Sequence, residues 1–402
     1  MISDLVKAAT KERGSLPITY NEPLSMLQRQ VESFQFYYLL DNVYKVTDVA
    51  LKYAYIAGFI TAEISLNINR LLKPFNPILG ETYEYVDTQY KFRSFSEQVS
   101  HHPPISAFIL ESPNITVYGD SKNKHKFQFF KGAVEMNFQT KTHILVHKTL
   151  VSDKKNSNLA MKMISKNKDN NIENDNSDIL HHFTFGKPIF YFKGLLYGTP
   201  HYDFVGTVPI EDISNKNSSD DFRAELEFLD EGKKKLGAIE GKIFKNKEVV
   251  YTLKGNWNEG LWLYDNKGKE LIKEIWKLNT EEEFIKNTDT INNYLISNYA
   301  VNLNYMPNEL EKLLPVSDCR FRPDQRELEN GNIDLAEELK KKLEDSQRAR
   351  AKEMEAKKQV YKPMYFELAG DEKGSFYVPV KDYWKDRMAN DFSHIYNIFE
   401  IK

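Results

Sequence analysis

Thr82-Tyr-Glu-Tyr-Val86, Tyr90-Lys-Phe-Arg-Ser-Phe95, Ile105-Ser-Ala-Phe-Ile-Leu110 and Ile115-Thr-Val-Tyr118 follow one another along residues 82–118. Each is a short run rich in aromatic and β-branched residues, which pack well on a pleated surface. Polar or Pro/Gly-bearing turns separate them. The texture continues through Lys126–Phe130, Ala133–Phe138 and His143–His147. It resumes in Pro188–Phe192, His201–Thr207, Phe222–Phe228, Ala238–Phe244, Glu248–Leu253 and Gly260–Tyr264. Many short strands at regular spacing predict an antiparallel sandwich or barrel. A barrel is the preferred reading, because closure removes exposed edges from so long a meander. The alternating strand and helix patterns of a parallel α/β sheet are absent. Within the polar tract 152–178, Leu159–Ile164 is one more candidate strand and the rest reads as surface loop.

Outward from this block the pattern turns helical. Residues 24–40 and 47–72 read as helices, the second ending before Lys73-Pro74, where proline disfavours further helix. Residues 334–358 combine Ala, Glu, Lys, Leu and Arg without Gly or Pro, with Asp334 as expected N-cap and Glu337 as its capping-box partner. At the start, Ile2, Leu5, Val6 and Ala9 fall at i, i+3, i+4, i+7 on one face of a short helix. That helix is either an amphipathic terminus packed on the body or a lid.

Composition narrows the function classes. The 402 residues carry 41% apolar residues, 23 Tyr and 25 Phe, enough for a large core. A net charge of −3 argues against nucleic acid as the main partner, since phosphate-backbone binding calls for a clearly basic domain. The single cysteine, Cys319, allows no intrachain disulfide, which fits a reducing cytosol. The N-terminus lacks the basic start and apolar stretch of a signal peptide, and the run Tyr53–Ala62 is too short to cross a bilayer. A soluble cytosolic protein with peripheral membrane contact is expected.

Three segments could carry chemistry. Lys73-Pro-Phe-Asn76-Pro-Ile-Leu-Gly80-Glu81 is a rigid turn that can present backbone N–H groups and a cation to an anion, or can be a plain connector. Glu97-Gln-Val-Ser-His101-His102-Pro-Pro104 places two imidazoles at a strand end, where Pro-Pro breaks the ladder. Such a pair can bind an anion, ligate a metal or act as a general base. No zinc-like spacing surrounds it, and His143 and His147 lie too far apart on a strand to chelate together. Ser100 lacks a nucleophile-elbow context. A second pair, His181-His182, shows that His-His alone is a weak signal. Finally, Lys340, Glu344 and Arg348 at i, i+4, i+8 form a helical stripe in which Glu344 can brace two cations for a phosphate. The same stripe also fits an ordinary solvated surface.

Read together, these motifs carry a family resemblance. EQVSHHPP (Glu97–Pro104) resembles the fingerprint of the oxysterol-binding protein family, and KPFNPILGETYE (Lys73–Glu84) looks like its second signature. Asn21–Arg29, YTLKGNWN (Tyr251–Asn258) and SDCRFRPDQRELENG (Ser317–Gly331) resemble its opening segment, a late barrel strand and the segment before its long helix. The resemblance implies a β-rich α+β fold: a near-closed antiparallel β-barrel around a lipid tunnel, with an N-terminal lid and helices and a C-terminal helical subdomain. Expected bounds are 1–20 for lid and linker, 21–72 for the helical segment, 73–300 for the barrel and 301–402 for the last subdomain, all in one lipid-binding domain. It implies no room for the membrane-targeting modules of longer members.

By motif, the resemblance gives the phosphatidylinositol 4-phosphate headgroup to Lys73, Asn76, His101, His102, Lys340, Glu344 and Arg348, and lid contacts to Ile2, Leu5 and Val6. No catalytic residue, metal or cofactor is expected. The second lipid is a sterol or phosphatidylserine, and Asn21–Arg29 resembles the sterol-handling members more. The expected protein is a monomer exchanging two lipids between membranes. A lipid sensor without net transfer and a hydrolase using His101/His102 are the alternatives from other classes.

Overall fold

The structure is a computed structural model that describes residues 16–68, 70, 72–128, 132–148, 178–194, 199–214, 221–230, 232, 235–279, 296–370 and 374–400. The expected lid residues Ile2, Leu5 and Val6 and the candidate strand Leu159–Ile164 lie outside them.

The N-terminal part begins with strand β1 (Asn21–Ser25). Helices α1 (Met26–Glu32), α2 (Tyr37–Lys45) and α3 (Val49–Ser65) follow. Ser25 opens α1 with a capping box, its own N–H donating to Gln28 Oε1 at 2.7 Å. Asp48 caps α3 through the Ala50 N–H at 2.8 Å. Nearly every residue of α3 is buried. A helix apolar on all sides belongs inside a protein, and α3 packs along strands from β12 to β17 of the sheet described next. Gly58 makes the fit possible, since a Cβ there would lie 2.6 Å from Ile275 Cγ2 on the sheet.

After β2 (Lys73–Phe75), which pairs in parallel with β1, comes one antiparallel sheet. Its strands are β3 (Thr82–Asp87), β4 (Phe92–His101), β5 (Pro104–Glu111), β6 (Ile115–Asp120), β7 (Asn123–Gln128), β8 (Ala133–Phe138), β9 (Thr142–His147) and β10 (Ile179–Phe185). It continues through β11 (Ile189–Lys193), β12 (His201–Asp212), β13 (Phe222–Phe228), β14 (Ala238–Lys245), β15 (Glu248–Asn256), β16 (Gly260–Tyr264) and β17 (Leu271–Lys277). The main path runs β17-β16-β15-β14-β13-β12-β10-β9-β6-β5-β4-β3. A branch forks at β12 through β11 and β8 to β7. Burial alternates with period two where one face meets the core, as in β13, whose Ala224, Leu226 and Phe228 are buried while Glu225 and Glu227 are exposed.

The C-terminal part holds α4 (Asn298–Val301), α5 (Asn308–Glu311), α6 (Pro323–Glu329), α7 (Ile333–Ala356) and α8 (Tyr383–Ala389). It also holds a hairpin that the helical expectation left out, β18 (Phe366–Ala369) with β19 (Phe376–Pro379). Hairpin and α8 cover the outer face of β4 to β6, where Phe95 stacks on Tyr383 with ring centroids 3.9 Å apart. The expected capping box of α7 does not form. Asn332 is the N-cap, its side chain donating to Glu327 at 2.6 Å rather than capping the helix, and Asp334 lies in the first turn. The Glu337 carboxylate is spent instead on the backbone N–H of Ile18.

Buried charge stitches distant segments together. Arg70 donates to Glu22 at 2.7 Å and to Glu32 at 2.8 Å, and Ser297 donates to Glu32 at 2.8 Å. A buried guanidinium satisfied by two carboxylates is held at fixed geometry, because removing either partner leaves a charge without solvent.

Candidate functional site

The turn after β2 is built by one carboxylate and one guanidinium. Glu81 accepts from the Ile78 N–H at 2.9 Å, from Ser25 Oγ at 2.7 Å and from Arg322 Nη1 at 3.0 Å. Arg322 also donates to the Asn76 carbonyl and to Asp324, each at 2.8 Å. Gly80 closes the turn at φ +84°, a conformation that suits glycine, and its N–H donates to the Gln98 carbonyl of β4 at 3.0 Å. Lys73 and Asn76 are thereby fixed beside the end of β4, both exposed to solvent.

On β4 an irregularity between Gln98 and Ser100 precedes the histidine pair. His101 pairs with Pro104 across a tight turn that contains the cis His102-Pro103 peptide. Both imidazoles project from the strand end, their rings edge-on with centroids 4.6 Å apart. His101 is half-buried and His102 exposed. Burial, and then the neighbouring His102, push the His101 pKa down to about 4, with the Pro77 carbonyl pulling the other way.

The third component is α7. Ala336, Lys340 and Leu343 form its buried stripe, which Gln347 extends one turn further. Lys340 donates to the Leu16 carbonyl and lies 4.0 Å from Glu344. Arg348 lies 3.8 Å from Glu344, bonds Asp345 at 2.7 Å and stands in solvent. Lys73 feels the same helix: desolvation and then Lys340 lower its pKa, while Glu344 raises it. Lys340 is lowered by burial too, against a pull up from Glu344.

The structure therefore brings the three predicted groups to one place. Gln347 bridges them, its side chain contacting His101 Nε2 and accepting from the Leu79 N–H at 3.3 Å. Sequence reading missed Gln347 and Arg322. The repeat of Ala336, Lys340, Leu343 and Gln347 at helical spacing was a usable signal for the first. It also missed the role of Glu97, whose buried carboxylate accepts from the Met364 and Tyr365 N–H groups at 2.7 and 2.9 Å and from Tyr361 Oη at 3.0 Å. Burial pushes its pKa up to about 7. The first residue of EQVSHHPP thus pins the C-terminal part to the sheet.

The other pair, His181-His182, sits apart in a wall. His182 Nε2 lies 3.0 Å from His143 Nδ1 and His181 bonds Asp212 at 2.6 Å. Among the described residues no group of His, Cys, Asp or Glu is arranged to hold a metal ion, and no helix is long and apolar enough to cross a membrane. Inside the sheet, Phe190 contacts Tyr202 and Phe204 with centroids at 4.9 and 5.4 Å, and Trp257 meets Phe204 at 5.5 Å. These rings form an aromatic wall.

Comparison with known proteins agrees with this architecture. The chain is similar to oxysterol-binding protein homolog 1 of Saccharomyces cerevisiae, with 31% identity over 96% of the chain and 31% of that protein. It is also similar to human oxysterol-binding protein-related protein 7, with 31% identity over 95% of the chain and 41% of that protein. The chain thus spans well under half the length of these relatives. Among solved structures, an Osh1 ORD domain in complex with cholesterol superposes with TM-score 0.78 at 26% identity, covering 97% of this chain and 88% of that one. The Osh3 ORD of Saccharomyces cerevisiae in complex with PI(4)P gives TM-score 0.74 at 26% identity, covering 99% and 95%. The oxysterol-binding protein profile matches residues 12–388. With the EQVSHHPP hairpin, the KPFNP turn and the long charged helix meeting on a large antiparallel sheet, the chain belongs to the oxysterol-binding protein family.

Proposed function

We propose that this chain encloses one lipid at a time against the aromatic interior of the sheet and exchanges a sterol for phosphatidylinositol 4-phosphate between membranes. The observation that carries the reading is that Lys73 and Lys340 share Glu344 on α7, the helix whose Gln347 touches His101. The desolvation of both ammonium groups favours an added anion. A phosphate monoester supplies that charge, with Asn76, His102 and Arg348 at the rim. Its acyl chains, or a sterol, take the apolar interior, where burial contributes roughly 25 cal/mol per Å². A sterol and a phosphoinositide compete for one cavity, so loading of one excludes the other. The cholesterol and PI(4)P complexes of the Osh1 and Osh3 ORD domains support this pairing.

The test is extraction from liposomes by wild type and by the His101→Ala/His102→Ala double variant. The variant is expected to lose phosphatidylinositol 4-phosphate extraction at least tenfold and to keep sterol extraction. Equal phosphoinositide extraction would overturn the headgroup assignment. Transfer between two liposome populations separates an exchanger from a sensor, and release of inorganic phosphate from the lipid would instead mark a hydrolase.

A further inference from the structure

We propose that the side-chain amide of Gln347 occupies the phosphoryl position when the headgroup site is empty, and that a phosphate monoester loads by displacing it. This rests on the function proposed above. The Leu79 N–H can only donate, so it fixes the amide orientation: Oε1 faces Leu79 at 3.3 Å and Nε2 faces His101. An amide nitrogen only donates, so His101 Nε2 must accept. Its ring proton then sits on Nδ1, which is buried and meets no hydrogen-bond partner among the described residues.

Neutral His101 is also what its surroundings demand. Facing it are His102 from its own hairpin, Arg322 from the segment before α6 and, on α7, Gln347 flanked by Glu344 and Arg348. Burial, His102 and Arg322 all disfavour the imidazolium. To donate to a phosphoryl oxygen, His101 must carry a proton on Nε2. That proton would point at the amide's own N–H groups. Turning the amide over does not help, because its NH2 would then face the Leu79 N–H. The protonated imidazole and the seated amide exclude each other.

A phosphate monoester resolves the conflict. One oxygen accepts from the Leu79 N–H and another accepts from the His101 Nε2–H, whose proton is taken up from solvent, and the phosphate charge stabilises that imidazolium. A sterol or an unphosphorylated headgroup brings no such charge and leaves the amide in place. Gln347 is on this account a specificity-determining residue. In the empty site it stands in for the ligand and satisfies the polar groups that a phosphate would otherwise leave bare.

The experiment compares wild type, Gln347→Leu and Gln347→Glu. Extraction is measured from phosphatidylcholine liposomes containing phosphatidylinositol 4-phosphate, phosphatidylinositol or sterol. In parallel, the His101 ring is titrated by NMR in the unloaded protein and with inorganic phosphate alone. Gln347→Leu, which keeps the volume but loses both hydrogen bonds that seat the amide, is expected to swing aside more readily and extract the phosphorylated lipid several-fold better. Gln347→Glu places a carboxylate against His101, so it is expected to raise that imidazole's pKa by more than one unit and to cut phosphoinositide extraction about tenfold. Sterol extraction is expected to stay unchanged in both. Weaker phosphoinositide extraction by Gln347→Leu, with sterol extraction intact, would make the amide a ligand contact and overturn the proposal. So would an unmoved His101 titration in Gln347→Glu. Response of His101 to inorganic phosphate without a response to the lipid would assign the site to a free anion. If wild type itself extracts no phosphoinositide, the function proposed above fails first and this inference with it. Failure confined to the variants sinks the inference alone.

Discussion

At the scale of single residues, the proposed function makes the proton on His101 the control of how loading responds to pH. Its pKa is held near 4 in the empty protein, and a bound phosphate raises it. Between those two values binding takes up a proton, so affinity rises as pH falls. Phosphoinositide affinity measured from pH 8 to 6.5, above the phosphate's own titration near pH 6, is expected to increase. The His101→Ala variant is expected to flatten the slope. Glu97 makes a separate residue-scale prediction about stability. Its carboxylate satisfies two backbone N–H groups and the Tyr361 hydroxyl in a buried place. Glu97→Ala strands these donors, each costing about 1–3 kcal/mol. Denaturant unfolding should show a loss of several kcal/mol, with Glu97→Gln intermediate because it keeps one acceptor oxygen.

At the scale of elements, α3 and β17 fit through a missing side chain. Alanine is the better helix former than glycine by about 1 kcal/mol, yet a Cβ at residue 58 would lie 2.6 Å from Ile275 Cγ2. Gly58→Ala is therefore expected to destabilise by roughly 1–3 kcal/mol, the range for overpacking. In an Ile275→Ala background the same change should turn neutral or stabilising. A double-mutant cycle by chemical denaturation reads this coupling directly. The same scale shows what sequence reading could reach. β13 was legible because its core face alternates cleanly with charged residues. β10 was not, since Ile179-Leu-His-His-Phe-Thr-Phe185 buries its polar face too, with His182 against His143 of the neighbouring β9, itself stacked on Phe376 of β19. β17 is an edge strand whose Leu271-Ile-Lys-Glu274 half is exposed, so no amphipathic pattern marks it. The α7 cap failed because Glu337 serves a contact with Ile18 that no local motif encodes.

At the scale of the whole molecule, four imidazoles are held neutral: His101 near 4, His143 near 3, His147 near 4 and His182 near 4. Their folded pKa values lie below the unfolded value of about 6.5, so the unfolded chain binds more protons across that window. Stability is then fully present above pH 6.5 and is lost as pH falls toward 4. Glu97 opposes with a raised pKa, contributing stability below about pH 4.5 that is lost as pH rises through 7. Burial raises Glu81, Glu84, Glu111 and Glu329 in the same sense as Glu97, so the histidine contribution is read from a difference between variants. His143→Gln is expected to remove part of the stability lost by wild type between pH 7 and 5, seen as a smaller fall of melting temperature over that window than wild type shows. The candidate site was legible at this scale through motif resemblance alone. His101 and Gln347 stand 246 residues apart in sequence, and a contact over that span leaves no periodicity in either segment.

The clamp at Glu97 has a counterpart one strand away, where Glu84 accepts from Tyr383 at 2.5 Å and from Arg387 at 2.8 Å. Every side chain assigned here to the headgroup precedes residue 356, and every donor in these two clamps follows it. A nonsense mutation after α7 would leave the ligand-binding inventory whole. It would nonetheless strip two buried carboxylates of their partners, one on β3 and one on β4, the strand that leads into the histidine hairpin. Such a truncated product should be degraded rather than merely impaired, so the tail of the chain matters to the proposed site as much as the residues that would line it.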